Sequence, residues 1–219
     1  MSLMQRFALP PDEIYRRSFE TIDALLSSDN WSPDEYQVVR RVVHASGDPQ
    51  LASHIHFKPG ALEQGIVALL RRGAIFTDVR MVAAGIRAEW CETLNCSVQT
   101  LLARQSVKNP GSPELITRSA TAVQQALPLL GQNIVVIGNA PTALLALLDA
   151  LDEGRCELPA LIIGMPVGFI ATRESKDALW ERPYASIIVE GTRGGSPVAA
   201  ATVNALLALA LQRSKQIAQ

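Results

Sequence analysis

Buried strands and helices alternate through the second half of the chain, and this alternation restricts the possible folds more than any other feature. Strand, loop and helix follow one another three times: strand 133–138 and helix 141–151, strand 158–163 and helix 168–180, and strand 186–189 and helix 196–212. Repeated units of this kind form right-handed parallel crossovers. The sequence therefore predicts an α/β protein with a doubly wound, mostly parallel sheet flanked by helices.

The first half is less regular and predicts an N-terminal helical segment before the sheet. Residues 1–10 show no pattern, and we expect them to be loose. The predicted elements are helices 11–26 and 32–47, strand 52–57, helix 61–72, strand 74–79, a short helix 81–85, strand 94–98, and helix 113–127 after a Pro- and Gly-rich break at 109–113. A chain of 219 residues can bury one sizeable core, so we expect a single domain over 1–219.

The helix that begins at Ser32 has clear signals at both ends. Ser32 followed by Glu35 is a capping-box pattern, and Gly47 favours a stop. The valines at 38, 39, 42 and 43 share one apolar face of this helix. We therefore expect the valines to face the core.

His44 lies in the last turn of this helix, on the side that also carries Arg40 and Arg41. The helix dipole there favours a protonated ring, whereas the neighbouring guanidinium groups oppose it. An anionic ligand that bridges the three side chains would remove that repulsion. Two interpretations of His44 follow: an acid that acts when an anion binds, or a histidine that only stabilises the helix end.

Three loops that follow the predicted strands of the second half are rich in glycine and proline. They span 138–142, 164–168 and 191–197, and they contain Asn139, Thr142, Gly168 and Arg193. In an open parallel sheet, ligands bind outside the carboxyl ends of the strands, where helix N-termini attract anions. Tight turns alone also explain glycine and proline, but three such loops on one edge favour a ligand site.

Composition and charge exclude several classes of protein. The net charge of -1 lacks the basic excess of nucleic-acid-binding domains, so we expect no nucleic-acid partner. The longest apolar run, 198–211, is too short to span a bilayer, so we expect no membrane association. The three cysteines have no C-x-x-C spacing and no signal pattern precedes the chain's first helix, which together predict a cytoplasmic protein without disulfides.

The motifs of cofactor and acyl-enzyme chemistry are missing from the sequence. Residues 138–143 lack two glycines of the dinucleotide-binding pattern G-x-G-x-x-G, and no G-x-x-x-x-G-K-[ST] occurs. His54 and His56 would share one strand face, but no cysteine or carboxylate stands at a motif-like spacing to complete a metal site. There is no G-x-S-x-G elbow either. We therefore expect neither a metal nor a cofactor.

Seven blocks of sequence, in this order, resemble the precorrin-8X methylmutase (precorrin isomerase) family of cobalamin biosynthesis. They are 15–19 (YRRSF), 42–48 (VVHASGD), 77–82 (TDVRMV), 117–120 (TRSA), 138–144 (GNAPTAL), 164–169 (GMPVGF) and 191–196 (GTRGGS). The resemblance extends from Ile14 to about Leu207, and several blocks in order are far more specific than any one alone.

The resemblance implies a homodimeric isomerase that moves a methyl group from C-11 to C-12 of a corrinoid ring. The product would be hydrogenobyrinate, or cobyrinate where the ring holds cobalt. His44 stands in the family's V-V-H-A-[ST]-G-D block and would be the acid/base residue. The implied substrate contacts are Arg17, Ser18, Arg41, Thr77 and Arg118, with Arg118 a candidate to reach in from the other subunit, and the loops add Asn139, Thr142, Gly168 and Arg193.

The implied substrate suits these residues. A ring edged by carboxylates requires several arginines and helix N-termini, and its flat apolar faces require a wide cleft lined by Val, Met, Leu and Phe. A non-catalytic carrier of corrinoids or other tetrapyrroles would have the same cleft, and it would bind without isomerising. A nucleotide-dependent transferase on the same sheet is a third interpretation, which the missing glycine motifs disfavour.

Overall fold

Six strands of the described chain form one sheet in the order β1-β6-β5-β4-β2-β3. The computed structural model describes residues 2–102 and 117–217. The strands are β1 (Ile55–Phe57), β2 (Ile75–Thr77), β3 (Val98–Thr100), β4 (Ile134–Ile137), β5 (Leu161–Gly164) and β6 (Ser186–Val189). Only β1 runs antiparallel to its neighbour, at the edge beside β6. The predicted mostly parallel sheet is confirmed.

Helices cover both faces of this sheet. The described helices are α1 (Leu3–Phe7), α2 (Pro11–Leu25), α3 (Pro33–Ser46), α4 (Ala61–Leu70), α5 (Arg80–Gly85), α6 (Ala88–Leu94), α7 (Arg118–Leu130), α8 (Pro141–Asp152), α9 (Thr172–Glu181) and α10 (Ser196–Ile217). Buried residues of α3 to α6 and α10 share one core with the sheet, and those of α7 to α9 share a second core on the other face. This arrangement is the doubly wound fold that the sequence predicted.

The strand order reverses at β2. The chain first moves from β2 outward to β3, and it then returns to the other side of β2 and adds β4, β5 and β6 in succession. A crevice opens at such a switch point because the loops after β2 and β4 lead away in different directions. The loops after β2, β4, β5 and β6 all lie at the same edge of the sheet, called here the carboxyl edge.

Several elements of the first half differ from the sequence predictions. Residues 3–7 form the short helix α1 where we expected loose chain. The predicted strand 52–57 is a 3₁₀ turn over Pro49–His54 followed by the short β1. The predicted strand 94–98 is wrong, because α6 occupies 88–94 and the strand lies at 98–100. The strands β1 and β3 take their structure from pairing with distant strands rather than from local pattern.

Helix starts in the second half also shift. The structure begins α7 at Arg118, with the hydroxyl of Thr117 accepting a hydrogen bond from the Ala120 N–H as its cap. The break predicted at 109–113 lies outside the described residues, as do positions 113–116 of the predicted helix. Helix α9 begins at Thr172 instead of 168, so Gly168 lies in the loop that precedes it.

Helix α3 matches its prediction closely. Ser32 and Glu35 form both hydrogen bonds of the capping box, and Gly47 ends the helix in the left-handed conformation with φ 66°. The four valines are buried in the core, and the helix packs along α10. The carboxyl end of α3 is thereby held at the carboxyl edge of the sheet, where Arg193 in the loop before α10 reaches Asp48.

The contribution of the Ser32 cap is measurable by substitution. Ser32→Ala should lower the free energy of unfolding by about 1 kcal/mol, because the Glu35 N–H loses its acceptor. Urea denaturation followed by circular dichroism measures the change. Ser27→Ala is the matched control, since Ser27 precedes a 3₁₀ turn and its side chain makes no cap hydrogen bond. Equal losses in the two variants would contradict the capping role.

Candidate functional site

His44 is exposed in the last turn of α3, and its imidazole contacts two aromatic rings of α2. The Phe19 ring stacks on the imidazole with the planes 8° apart and the centroids 5.2 Å apart. Tyr15 lies on the same side at 5.7 Å between centroids. The stacking limits the orientations of the imidazole while leaving it open to a ligand. Neither aromatic residue was assigned a role from the sequence, although both lie in the block 15–19.

The arginines near His44 are held in different ways. Arg40 pairs with Asp23 at 2.7 Å and places its guanidinium 4.6 Å from the centroid of the Phe19 ring. Arg41 lies over the ring of Trp90 at 5.3 Å. Arg40 and Arg41, which the sequence placed beside the imidazole, therefore contact different aromatic rings. Of the two, Arg40 forms an ion pair, and Arg41 forms none with the described residues.

On α2, Arg17 is exposed and Ser18 is half-buried. The guanidinium of Arg17 donates to Glu13 at 2.6 Å, one turn earlier in the helix. Hydrogen bonds from Arg16 and Arg17 lower the pKa of Glu13 to about 2. The carboxylate is therefore charged at neutral pH and holds Arg17 at the surface.

The loops after β5 and β6 are joined to each other. The Gly168 N–H donates to the Thr192 carbonyl at 3.2 Å, and the Gly195 N–H donates to the Met165 carbonyl at 2.8 Å. Gly194 has φ 144°, and a Cβ there would lie 2.4 Å from the Met165 carbonyl oxygen. Glycine is therefore required at this close approach. The pairing places the predicted contacts Gly168 and Arg193 side by side.

Arg193 connects these loops to the helix of His44. Its guanidinium donates to the Asp48 carboxylate at 3.1 Å. Asp48 also accepts a hydrogen bond from the Gln50 N–H, and its own N–H donates to the Ser46 hydroxyl. The end of α3 is therefore tied to the loop after β6 by a contact between residues far apart in sequence.

Lys176 of α9 lies beneath the same two loops and is fully buried. Its Nζ donates to the carbonyl oxygens of Pro166 at 3.2 Å and Arg193 at 2.7 Å. Burial lowers the pKa of this lysine to about 8. Sequence reasoning missed Lys176, although its position on the inward face of α9, with Thr172 and Leu179, is a signal that a cation there has a specific partner.

At the switch point, the buried carboxylate of Asp78 organises the loop after β4. It follows β2 directly and accepts hydrogen bonds from the N–H groups of Gly138, Asn139 and Ala140 at 2.8 to 3.0 Å. It also accepts from the Val79 N–H at 2.9 Å. Burial raises the pKa of Asp78, although these four hydrogen bonds act in the opposite direction. The residue was quoted in a family block but not assigned a role.

The remaining predicted contacts surround this loop. Thr77 is fully buried, and its hydroxyl donates to that of Thr100 at 3.3 Å. Asn139 is exposed at the carboxyl edge. The hydroxyls of Thr142 and Thr117 are hydrogen-bonded to each other at 2.7 Å, which brings the start of α8 against the start of α7. Arg118, the first residue of α7, is exposed beside them.

The predicted site residues thus form two groups on one edge of the sheet. His44, Arg41, Gly168 and Arg193 belong to the group around the end of α3, and Arg17 and Ser18 of α2 adjoin it. Thr77, Asn139, Thr142 and Arg118 belong to the group at the switch point. Gly138 joins the two, because a Cβ at this glycine would lie 3.2 Å from the backbone of Ser196 at the start of α10.

Cavities in the described part of the chain follow this division. A cavity of about 480 Å³ between α2 and α3 is lined by Phe19 and Arg41, among others, and one of about 310 Å³ between α7 and α8 is lined by Thr117 and Thr142. A cavity of about 720 Å³ lies at the opposite edge of the sheet and includes none of the predicted site residues. The described chain therefore presents two open surfaces where we expected one wide cleft.

Exposed apolar side chains stand at the carboxyl edge. Phe169 and Ile170 in the loop after β5 are 89% and 85% exposed, and Val167 of the same loop and Met81 of α5 are also exposed. Large apolar groups this accessible and this close together are typical of a binding surface. They supply the kinds of side chain expected along an apolar ring.

The other two histidines meet one carboxylate. His56 Nε2 lies 3.1 Å and His54 Nδ1 4.0 Å from Glu190 Oε2, and the hydrogen bond with His56 lowers the pKa of Glu190. His54 ends the 3₁₀ turn, so the two histidines do not share a strand as predicted. In residues 2–102 and 117–217, no group of three or more His, Cys, Asp and Glu side chains is placed to hold a metal ion.

Among the described helices, none combines the length and the apolarity that a bilayer span requires. Helix α10, the longest of them with 22 residues, packs along α3, α4 and α5. Its apolar residues are therefore part of the protein core.

Comparison with known proteins gives a consistent result. The family model described as precorrin-8X methylmutase matches residues 13–209. The cobalt-precorrin-8 methylmutase of Synechocystis sp. is 39% identical over 211 residues, which cover 90% of this chain and 95% of the relative. The precorrin-8X methylmutase of Pseudomonas aeruginosa is 42% identical over 200 residues, covering 88% and 93% of the two chains.

A solved structure agrees with the sequence relatives. The precorrin-8X methylmutase of Thermus thermophilus superposes with a TM-score of 0.82 at 39% identity, covering 91% of this chain and 98% of that chain. Since almost the whole of both chains is aligned, the likeness extends to the fold as a whole. The chain described here belongs to the precorrin-8X methylmutase family.

Proposed function

We propose that this isomerase of cobalamin biosynthesis moves a methyl group from C-11 to C-12 of precorrin-8X or cobalt-precorrin-8, with His44 as the general acid and base. The observation that supports this most is the placement of His44, which is exposed at the carboxyl edge and oriented by the Phe19 ring. Arg40 contacts the same Phe19 ring, and Arg193 in the loop after β6 reaches Asp48 just beyond the end of α3. The products are hydrogenobyrinate and cobyrinate respectively.

The reaction requires little from the protein besides binding and a proton. A methyl group that shifts within a conjugated ring takes its bonding electrons to the neighbouring carbon, and no external atom is added or lost. We propose that His44 donates a proton to the ring C nitrogen or an adjacent position, which makes the pyrrole unit electron-poor, and that His44 recovers the proton after the shift. General acid catalysis of this type contributes about two to four orders of magnitude in rate.

The carboxylates of the ring would be bound by exposed cations and backbone N–H groups. Arg17 and Arg193 pair with Glu13 and Asp48 in the free chain, and both pairs are partly exposed to solvent. Exposed ion pairs contribute about 0 to 1 kcal/mol. A substrate carboxylate can therefore take the place of Glu13 or Asp48 at low cost. The proposed contacts also include Ser18, Arg41, Asn139 and Thr142. Thr77 is buried in the sheet, so its proposed role is to support the site from below.

We propose that two copies of the chain form a homodimer that closes the site. The described chain has two open surfaces and exposes Phe169 and Ile170 at the carboxyl edge. An apolar ring bound there by one chain alone would stay open to solvent on one side. A second copy seated on this edge would cover both the ring and these side chains. Arg118 is then the candidate to reach the site of the neighbouring subunit.

The three cysteines are free thiols, which supports a cytoplasmic location.

Substitution of His44 tests the acid role directly. His44→Ala should lower kcat by about 100-fold or more, because the proton donor is lost, while the product hydrogenobyrinate still binds. The absorbance change on conversion of precorrin-8X measures turnover, and titration with the product measures binding. His54→Ala is the matched control, since it removes a half-buried histidine that lies near Glu190 and has no assigned role in the site. Turnover of His44→Ala near that of the control would exclude the acid role, and binding without turnover in the unmodified protein would identify a carrier.

Mixing a variant that lacks the acid with one that binds the corrinoid weakly tests whether the site spans two subunits. Arg118→Ala should weaken corrinoid binding by about tenfold or more, as expected for the loss of a charge-assisted contact, without loss of fold. If Arg118 acts across the interface, a refolded mixture of His44→Ala and Arg118→Ala should recover about one quarter of the wild-type activity at low substrate, because half of the dimers are mixed and each has one intact site.

The same mixture has clear contrary outcomes. Activity no greater than the average of the two parents would show that Arg118 serves its own subunit. A single-chain mass by analytical ultracentrifugation with substrate present would exclude the dimer. Arg71→Ala is the matched control for Arg118, since Arg71 is exposed just after α4 at the opposite edge of the sheet, and the affinity of this variant for the corrinoid should be unchanged.

A further inference from the structure

A fully buried lysine joins the two loops that we propose bind the substrate. Lys176 lies on the inward face of α9, and its ammonium group donates to one carbonyl in each loop, that of Pro166 after β5 and that of Arg193 after β6. It is the largest of the fully buried side chains among the described residues. Its burial in the chain means that it cannot contact a ligand at the surface.

Burial of the Lys176 ammonium group is unfavourable, so the presence of a lysine at this position calls for an explanation. An ammonium group loses its hydration when it is buried, and burial lowers the pKa of Lys176 to about 8. The nearby carboxylates of Asp177 and Glu190 act in the opposite direction. An apolar residue of similar volume would fill the same space without this cost. What only the lysine supplies is a pair of N–H donors aimed at two carbonyls of different loops.

Those two carbonyls belong to the segments that carry Gly168 and Arg193. The backbone bond from Gly168 to Thr192 and that from Gly195 to Met165 set the loops side by side. The Lys176 bond to the carbonyl of Arg193 fixes the backbone of the very residue whose guanidinium reaches Asp48. Displacement of that backbone would therefore move the guanidinium relative to the end of α3.

We propose that Lys176 is a positioning residue, which sets the spacing of the loops after β5 and β6 and thereby the affinity of the enzyme for the carboxylates of its corrinoid substrate. The inference rests on the proposed function, in which these loops bind the ring. Because His44 stands on a different element, the loss of Lys176 should weaken binding in the ground state and the transition state alike and should leave the proton transfer intact. Such a change raises KM and preserves kcat.

The test is Lys176→Met, which keeps the length of the side chain and removes its N–H donors. We expect KM for precorrin-8X to rise at least tenfold and kcat to stay within about threefold of the wild type. The affinity for hydrogenobyrinate should fall by a similar factor. Lys215→Met makes the same substitution at the exposed end of α10 and should leave all three quantities unchanged.

Other outcomes decide against the proposal. Unchanged KM and kcat, or a fall in kcat that exceeds the rise in KM, would overturn it. Where Lys176→Met fails to fold, Lys176→Leu, which also lacks the N–H donors, is judged by the same two quantities, and failure of both variants to fold would show that the lysine serves stability alone. Arg193→Ala separates this inference from the proposed function: a wild-type KM in that variant would remove the loop from the substrate site, whatever Lys176→Met does.

Discussion

The carboxylate of Asp78 is the interaction on which the carboxyl edge depends. The turn after β4 aims three consecutive N–H groups at one point, and buried N–H groups without an acceptor are strongly unfavourable. Asp78, directly after the neighbouring β2, supplies that acceptor. The contact fixes the crevice at the switch point, and it holds Asn139 outward and Thr142 against Thr117. A neutral acceptor there would serve fewer of these donors.

The elements that could be predicted from the sequence are those determined by their own residues. The cap at Ser32, the stop at Gly47 and the strand–helix units of the second half all follow from local pattern, and the structure confirms them. The short segments before β1 and β3 were misassigned because they are fixed by tertiary contacts. β1, for example, has three residues and exists only through its pairing with β6.

The members of the candidate site were proposed from the sequence, whereas the contacts that connect them could not be predicted. The resemblance identified His44 and the loops, because these stand in continuous blocks of sequence. The roles of Asp78 and Lys176 and the pairing of Arg193 with Asp48 could not be predicted, since each joins segments that periodicity does not relate. The stacking of Phe19 on His44 is of the same kind, because it depends on how α2 crosses α3.

Cations have two different uses at this edge, and their burial separates the two. Lys176 is buried and donates hydrogen bonds to backbone carbonyls, so its charge stabilises the structure of the loops. Arg17 and Arg193 are exposed and paired with carboxylates, so under the proposed function each would exchange its partner for a carboxylate of the ring at little cost. A guanidinium grips a carboxylate with two parallel N–H groups, whereas an ammonium acts as a compact point charge that fits between two backbone oxygens. The geometry of the two groups, as well as their burial, therefore explains why arginine pairs with carboxylates at the surface and lysine joins carbonyls in the interior.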